Sequence, residues 1–488
     1  VGQNCLHFDK HVLERTYGIQ ANFIDDTMFA TWECYPDFPK SLSFLSSIHT
    51  DNPYWKGDLK LARQNKIPWW KEYEYNGRDC IITLQIAFVT IPEIKEMGDS
   101  SYKHYRFNIR AAKAYNYMAT HGAKINQELL QNRIAELETH AEAQQEQLDN
   151  EVGRHLNVRS PKQMKYFLYE ENKLPKKTKL VKTETGEKEE RLTSDHLTIL
   201  YLAREHPHIG ALTIAGNLRR TLKRISSLKS VNWDDKGFAH WNFNVVGTET
   251  GRSSGYKPID GKGVQPQNVD RRDRDLFQAP EGYYWCKADL EGADSVTVGA
   301  CLEVIGEPRL HEDIREGIKP AQTLALAMMY GDEAMQWSAS HIKTYAKELK
   351  STNKGARYYL IAKRVNHGAA YMLQGKGMHT NIFKDSDGDI YISPDECENL
   401  KSLLFKRYNY KAYHDTIQSI MLSSATLSAA SGQTRIFFGR KDNATLREML
   451  AYLPQAHTAY VTNQAIVDLY ETPKNRDEQG HLIIKPIN

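Results

Sequence analysis

Apolar residues recur at three-, four- and seven-residue steps through the middle of the chain, which is the spacing of amphipathic helices. The longest such stretch follows Asn126, a predicted N-cap, and continues to Val152. A second helix begins at Pro161 after the predicted N-cap Ser160, because proline is favoured in the first helical turn. A third, over residues 217–229, carries arginine and lysine on its polar face. The pattern therefore predicts a helix-rich central region with a protruding helix or helix pair.

A short apolar run that begins at Trp285 contains one carboxylate, Asp289, and changes to helical spacing after Asp294. The pattern predicts a buried strand that ends at Asp289, followed by a helix that starts near Asp294. A carboxylate at the end of a buried strand is costly unless it is paired or binds a metal. An N-cap for the next helix is the ordinary alternative, and this stretch alone does not decide between the two.

A further helical stretch carries Lys363, His367 and Tyr371 at intervals of four residues, so the three side chains share one face. A cation, an imidazole and a phenol on one stripe can contact a triphosphate and a base. The structural alternative is an exposed basic helix with a half-buried tyrosine.

Composition and charge add limits to this picture. The 488 residues predict roughly two to four domains. No run approaches the ~18 apolar residues of a membrane helix. The net charge of +3 means that a role with nucleic acid would depend on local basic patches. The six cysteines form no CxxC pair, which indicates reduced thiols and no zinc site. We expect a cytoplasmic protein without a membrane partner.

Two polar motifs precede the Asp289 stretch, Thr250-Gly251-Arg252 and then Gln267-Asn268, and each by itself fits a surface turn. Together with Asp289 and the later spacing Lys-x-x-Asn-x-Gly-x-x-Tyr from residue 363 to 371, they form an ordered series. This series resembles family A DNA polymerases, which are bacterial DNA polymerase I and its phage relatives.

The resemblance implies an α/β (α+β) multidomain fold. A partial ribonuclease H-like 3′–5′ exonuclease domain would precede a right-hand polymerase with thumb, palm and fingers. The implied boundaries are 1–95 for the partial exonuclease, 96–240 for the helical thumb, 241–310 for the first part of the palm, 311–440 for the fingers and 441–488 for the second part of the palm.

The resemblance also implies the reaction, in which a primer 3′-OH attacks the α-phosphate of a dNTP and pyrophosphate leaves. Asp289 and the Leu290 carbonyl would bind the two Mg²⁺ ions of the family's two-metal site. Lys363 would neutralise the phosphates and protonate the leaving pyrophosphate.

Nucleotide contacts are implied for Asp294, His367 and Tyr371. Asp294 stands where the family usually has Glu, which screens the sugar 2′ position, and His367 stands where Phe or Tyr is usual. Tyr359 occupies the place of a family arginine, and Arg357 is a candidate replacement.

DNA contacts are implied for Arg252, Gln267, Asn268, Arg447 and Gln455. The first three would lie near the growing primer end, and the last two would reach the minor groove. The basic segment 173–182 and the helix 217–229 suit phosphate-backbone contact, which is independent of sequence. The implied partners are primer-template DNA and dNTPs, with replisome or processivity factors as further candidates, and the protein is expected to be a monomer.

The first hundred residues carry a second resemblance. The stretch Asn4 to Asp9 and the pattern Tyr75-x-x-x-Asp79 resemble two motifs of proofreading 3′–5′ exonucleases. Asp9 and Asp79 would bind divalent metals, and Tyr75 would orient the attacking water. That family's first motif is expected upstream of residue 1, and the polymerase His-Asp pair after a predicted strand at 482–484. We therefore expect a fragment cut at both ends, with an incomplete exonuclease and an incomplete polymerase metal site.

Three alternatives stay open at this point. The chain could bind primer-template DNA without catalysis, because the second catalytic Asp is not in the sequence. It could belong to a single-subunit RNA polymerase, although the exonuclease-like segment and the His367 helix argue against that. It could also be a metal-dependent nuclease, which would degrade single-stranded DNA without dNTPs.

Overall fold

A computed structural model describes residues 1–57, 64, 68, 70–183, 187–256, 263, 269–479 and 481–486. Helices make up most of these residues. The α-helices are α1 (Asp9–Tyr17), α2 (Thr27–Cys34), α3 (Leu42–His49), α4 (Trp70–Glu96), α5 (Asp99–His121), α6 (Gln127–Val152), α7 (Pro161–Tyr166), α8 (His196–Glu205), α9 (Gly210–Lys229), α10 (Ala293–Val304), α11 (Arg309–Arg315), α12 (Pro320–Tyr330), α13 (Ala339–Tyr345), α14 (Glu348–Ser351), α15 (Asn353–Ala370), α16 (Gly375–Asp385), α17 (Pro394–Tyr408), α18 (Tyr410–Ser423) and α19 (Asn443–Glu471).

The strands are short. They are β1 (Ala123–Ile125), β2 (Thr178–Lys182), β3 (Lys188–Leu192), β4 (Phe238–Ala239), β5 (Asn242–Asn244), β6 (Ser254–Tyr256), β7 (Phe277–Gln278), β8 (Thr426–Ser428) and β9 (Thr434–Ile436). A three-stranded antiparallel sheet has the order β4-β1-β7, with Lys124 opposite both Phe238 and Gln278. The pairs β2–β3, β5–β6 and β8–β9 are antiparallel two-stranded ladders.

The helix starts predicted from local signals are confirmed. The Asn126 side chain accepts the N–H of Leu129 at 3.0 Å and caps α6. The Ser160 hydroxyl accepts the N–H of Gln163 and caps α7, with Pro161 in the first turn. The basic helix is α9, and its inward side chains include the buried Leu218, Ile225 and Leu228.

Three apolar cores organise the chain. One joins α2, α5 and the three-stranded sheet, and Trp32, Tyr105 and Trp241 are buried in it. A second lies between α6, α8 and α9. The third packs α10 to α18 against the first half of α19, while Val467 near the other end of α19 joins the first core. Helix α19 thereby ties the N-terminal helices to the C-terminal ones.

The buried strand predicted to end at Asp289 is not formed. Residues 281–290 have no regular secondary structure and are exposed, with Tyr284 96% exposed. A buried strand needs neighbours that accept its backbone hydrogen bonds. The other segment predicted to be a strand, 482–484, instead makes a single antiparallel bridge between Leu482 and Arg476. The helix expected near Asp294 is confirmed as α10, which starts at Ala293.

The described residues before position 97 form helices α1 to α4, and the one backbone bridge described there joins Gly2 to Asp26. Asp26 is buried and its carboxylate accepts the N–H groups of Asn4, Leu6 and Met28, which fixes the first turn of α2 against the N-terminus. The assignment of this region to an exonuclease-like domain stays a prediction. Among the described helices, none is long and apolar enough to cross a membrane.

Candidate active site

Asp294 is the point at which four parts of the chain meet. It lies in the first turn of α10, where a carboxylate is stabilised by the helix dipole. Its Oδ1 accepts the Thr458 hydroxyl of α19 at 3.2 Å and lies 3.6 Å from Nη2 of Arg252. Its Oδ2 lies 3.7 Å from Nδ1 of His367 on α15. The structure therefore brings together Asp294, Arg252 and His367, which the sequence separates widely.

Tyr371 completes this group at the end of α15. Its ring packs edge-on against His367, with centroids 4.8 Å apart and an interplanar angle of 88°. Burial raises the pKa of the Tyr371 phenol, and the nearby Asp294 carboxylate raises it further, so the hydroxyl stays protonated. Partial desolvation lowers the pKa of His367 below its ordinary value, against the opposing effect of Asp294, although 53% of its side chain stays exposed. At neutral pH the group thus offers a neutral imidazole beside a carboxylate.

Helix α15 is held in place by contacts on its buried face. The side-chain amide of Asn366 donates to the Ser295 hydroxyl at 3.2 Å and accepts the Tyr410 hydroxyl at 2.8 Å. A Cβ at Gly368 would lie 2.7 Å from Cγ of Met378, so glycine permits the close approach of α16. Lys363 is exposed on the opposite face. The packing fixes the helix and leaves its cationic side facing outward.

The loop that carries Arg252 is anchored by the N-terminal helices. Trp32 of α2 donates its indole N–H to the Thr248 carbonyl at 2.9 Å. Gly251 has φ +74°, a left-handed conformation that favours glycine, and the Trp32 ring lies 3.4 Å from where a Cβ would stand.

A buried amide fastens the same loop to α19. Asn463 donates to the Gly251 carbonyl at 3.4 Å and accepts the Tyr115 hydroxyl at 2.8 Å, and that hydroxyl also lies 3.2 Å from the Ser253 hydroxyl. Arg252 is thereby presented towards Asp294. The sequence analysis did not find Trp32, Asn463 or Thr458, because their roles depend on contacts between distant parts of the chain.

The segment with Asp289 contrasts with this order. Asp289 and Leu290 are exposed, and the nearest defined contact along the segment is the ion pair of Glu291 with Lys319. Within the described ranges, no group of three or more His, Cys, Asp or Glu side chains could hold a metal ion. The described residues therefore do not fit a two-metal site, although Asp289 could supply one carboxylate.

The remaining candidate residues either lie apart from the Asp294 group or fall outside the residues that the structure describes. Gln267 and Asn268 lie outside the described residues. Arg447 is exposed and Gln455 half-buried on α19, and Arg357 is exposed on the first half of α15. Nothing in the structure tests their predicted contacts with DNA or nucleotide.

The residues of the exonuclease resemblance form a small ion-pair cluster. Nζ of Lys56 lies 2.8 Å from both carboxylate oxygens of Asp79 and 2.7 Å from the Tyr75 hydroxyl. The Trp55 indole also donates to Asp79 at 2.7 Å. Asp9 is exposed in the first turn of α1. The metal roles of Asp9 and Asp79 and the water-orienting role of Tyr75 stay predictions.

Comparisons with known proteins agree with the resemblance. The family model described as DNA polymerase family A matches residues 127–485. DNA polymerase I of Treponema pallidum is 22% identical over 375 residues, which cover 70% of this chain and 36% of that protein. DNA polymerase I of Synechocystis sp. is 26% identical over 263 residues, 51% of this chain and 26% of that protein. The matches thus span about a third of those relatives' length or less.

A solved structure shows the same fold. The polymerase domain of Pol1 from M. smegmatis, in complex with DNA primer-template and dNTP, matches with a TM-score of 0.68. The match covers 93% of this chain and 73% of that chain at 19% identity. At that identity the likeness speaks for the fold, and it agrees with the expected right-hand architecture.

Proposed function

The chain belongs to DNA polymerase family A, and we propose that it acts in DNA-templated DNA synthesis, adding dNTPs to a primer 3′-OH. The carrying observation is the convergence of Arg252, Asp294, His367 and Tyr371, beside a helix that exposes Lys363. A cationic helix face and an aromatic pair against a fixed carboxylate suit a nucleotide, which combines a polyanion with a flat apolar base.

The side chains have separate roles in this proposal. Lys363 attracts the triphosphate and donates a proton to the pyrophosphate that leaves when the primer oxygen bonds to the α-phosphorus. His367 and Tyr371 border the sugar and base. Asp294 holds both aromatic residues and Arg252 in register, so that the nucleotide meets a preformed wall.

Family A polymerases generally use divalent metals, and Asp289 is the carboxylate proposed to bind them. The described residues do not form a group of three or more His, Cys, Asp or Glu ligands around it.

The primer-template is proposed to lie against the basic helix α9 and the segment before α8. Backbone phosphates are the same for every sequence, so contacts of this kind suit an enzyme that copies any template. Binding should weaken steeply with salt, since each neutralised phosphate releases counterions.

The test is primer extension on a primed template with Mg²⁺ and dNTPs. Lys363→Ala should slow extension by roughly 10²–10⁴-fold, the range of general acid catalysis. Lys354→Ala, an exposed lysine on the same helix, is the matched control. Equal rates for the two variants would contradict the assignment of Lys363.

A primer-template-binding protein without catalysis is the second candidate. The observation that favours it is the lack of a three-ligand metal group among the described residues. Salt-sensitive binding of duplex DNA without primer extension would select this candidate over the polymerase.

A further inference from the structure

The helices proposed as thumb contact the segment proposed as fingers at one carboxylate. Nη1 of Arg220, on α9, lies 2.8 Å from Oδ2 of Asp387 in the turn after α16. Nε2 of His196, at the start of α8, lies 3.9 Å from the other oxygen. Residues 220 and 387 are 167 positions apart, so this ion pair ties two distant parts of the chain together.

Aromatic contacts extend the same junction. The Tyr201 ring stacks on the Phe383 ring, with centroids 4.3 Å apart and an interplanar angle of 17°. The Tyr201 hydroxyl lies 3.0 Å from Nε2 of His379. The Arg204 guanidinium lies 4.2 Å from the centre of the Tyr391 ring. The junction is therefore a packed contact with an aromatic part and one charged end at Asp387.

Asp387 stands at the edge of a cavity of about 670 Å³ in the proposed thumb. The cavity is cationic, because among the described residues six lysine and arginine side chains line it and only two carboxylates, Asp195 and Asp387, do so. The cationic side chains that line it are Arg159, Lys165, Lys179, Arg219, Arg220 and Lys223.

The cavity wall holds one of these cations by neutral groups. Nε of Arg219 donates to the Val158 carbonyl at 2.6 Å, and Nη1 donates to the Ser194 carbonyl. Carbonyl oxygens orient the guanidinium without cancelling its charge. Arg219 therefore adds a fixed positive charge to a cavity in which cationic side chains already outnumber carboxylates.

We propose that Asp387 competes with the backbone phosphates of DNA for Arg220, on the helix α9 that is already proposed to contact that backbone. A carboxylate and a phosphate are both anions with oxygens that accept from Arg220. While Asp387 occupies the edge of the cavity, it ties the fingers segment to the thumb helices. A backbone phosphate of duplex DNA that binds Arg220 displaces Asp387 and releases this contact. The inference rests on the proposed function for the identity of the polyanion.

The test is fluorescence anisotropy with a labelled blunt-ended DNA duplex at fixed moderate salt. Asp387→Asn should bind the duplex roughly two- to five-fold more tightly, the range of one solvent-exposed ion pair. Asparagine is chosen because residue 387 has φ +51°, which asparagine tolerates better than alanine does. Asp389→Asn, a carboxylate in the same turn that is not among the cavity-lining residues, is the control and should bind as the unchanged protein does.

A cycle with Arg220→Ala decides whether the two residues act together. The gain from Asp387→Asn should disappear when Arg220 is already alanine, because the competitor then has no partner to release. Equal gains in both backgrounds, or equal affinities for Asp387→Asn and Asp389→Asn, would overturn the proposal.

A second arm uses dATP in place of the duplex. Tighter dATP binding by Asp387→Asn, without an effect on the duplex, would overturn the proposal and assign the cavity to nucleotides instead. Loss of primer extension with the duplex effect intact would contradict only the polymerase function.

Discussion

Asp294 and Asp289 are five residues apart in the sequence, yet their surroundings differ completely. Asp294 touches or approaches side chains from α19, α15 and the loop before β6. Asp289 lies on an exposed segment without regular secondary structure. Side chains from three other parts of the chain surround the Asp294 carboxylate, whereas no described residue gives Asp289 comparable support.

The difference separates two tasks of the proposed enzyme. The surface that would receive the nucleotide is already built, because Asn366, Asn463 and Trp32 fix the helix and loop that form it. The segment that would supply the catalytic carboxylate is not. The proposed nucleotide-binding surface is therefore preorganised, whereas the Asp289 segment must be ordered by further contacts.

The largest expected effect separates activity from stability at Asp289. Asp289→Ala should reduce primer extension by about a thousand-fold or more. Each loss of about 1.4 kcal/mol of transition-state stabilisation slows the reaction tenfold, and the proposed catalytic carboxylate should contribute several kcal/mol. The melting temperature should not change, since the side chain is exposed. Glu281→Ala, in the same exposed segment, is the control for extension and melting. A large fall in melting temperature for Asp289→Ala would contradict the exposed placement.

A smaller effect, on stability, tests whether Asn463 fixes the loop that carries Arg252. Asn463→Leu should lower the free energy of unfolding by about 1–3 kcal/mol, because the buried Tyr115 hydroxyl loses a partner. Urea denaturation measures the change. The neighbouring Gln464→Leu replaces a half-buried side chain whose amide donates to Asp468 on the same helix at 2.6 Å, and it should stay within about 0.5 kcal/mol of the unchanged protein. Similar values for the two variants would show that the loop is not fastened as described.

Two glycines with positive φ sharpen the comparison further. Gly251→Ala should cost about 1 kcal/mol, since φ +74° is strained for alanine and Trp32 limits relaxation. Gly282 has φ +80° in the exposed segment, with nothing within 4 Å of its added Cβ, so Gly282→Ala should cost less. The same denaturation assay compares them. A greater cost at Gly282 would mean that its segment is held more firmly than the loop at Gly251.

The smallest effect is a titration. The pKa of His367 should lie below 6.5 because burial disfavours the charged ring, and Asp294→Asn should lower it further by removing the opposing carboxylate. The stability that neutral His367 contributes is present above pH 6.5 and is lost as the pH falls through its folded value. NMR titration of the imidazole measures this pKa. An increase in the Asp294→Asn variant would contradict the contact with Asp294.

The sequence predicted the features that short-range signals specify. Asn126 and Ser160 mark their helices because N-capping depends on residues two or three positions away. The four-residue spacing likewise identified the helix that carries Lys363 and His367. The family resemblance implied a DNA contact for Arg252 near the primer end, which stays a prediction, and the structure brings Arg252 within 3.6 Å of Asp294.

The missed and wrong features depend on long-range contacts. Trp32 bonds to a carbonyl 216 residues away, and Asn463 to one 212 residues away, so no local pattern marks either. The prediction of a strand at Asp289 is wrong because an apolar run shows only which residues could be buried. A strand forms only where neighbouring strands pair with its backbone hydrogen-bonding groups.

Backbone amide hydrogen exchange of the free protein tests the central claim most directly. We expect the amides of residues 283–290 to exchange rapidly and those of α10 and of the second half of α15 to exchange slowly. Primer-template DNA with dNTP and Ca²⁺ should then slow exchange at 283–290 and leave α10 unchanged. Slow exchange at 283–290 in the free protein would contradict the account, because it would show that the Asp289 segment is already a protected strand.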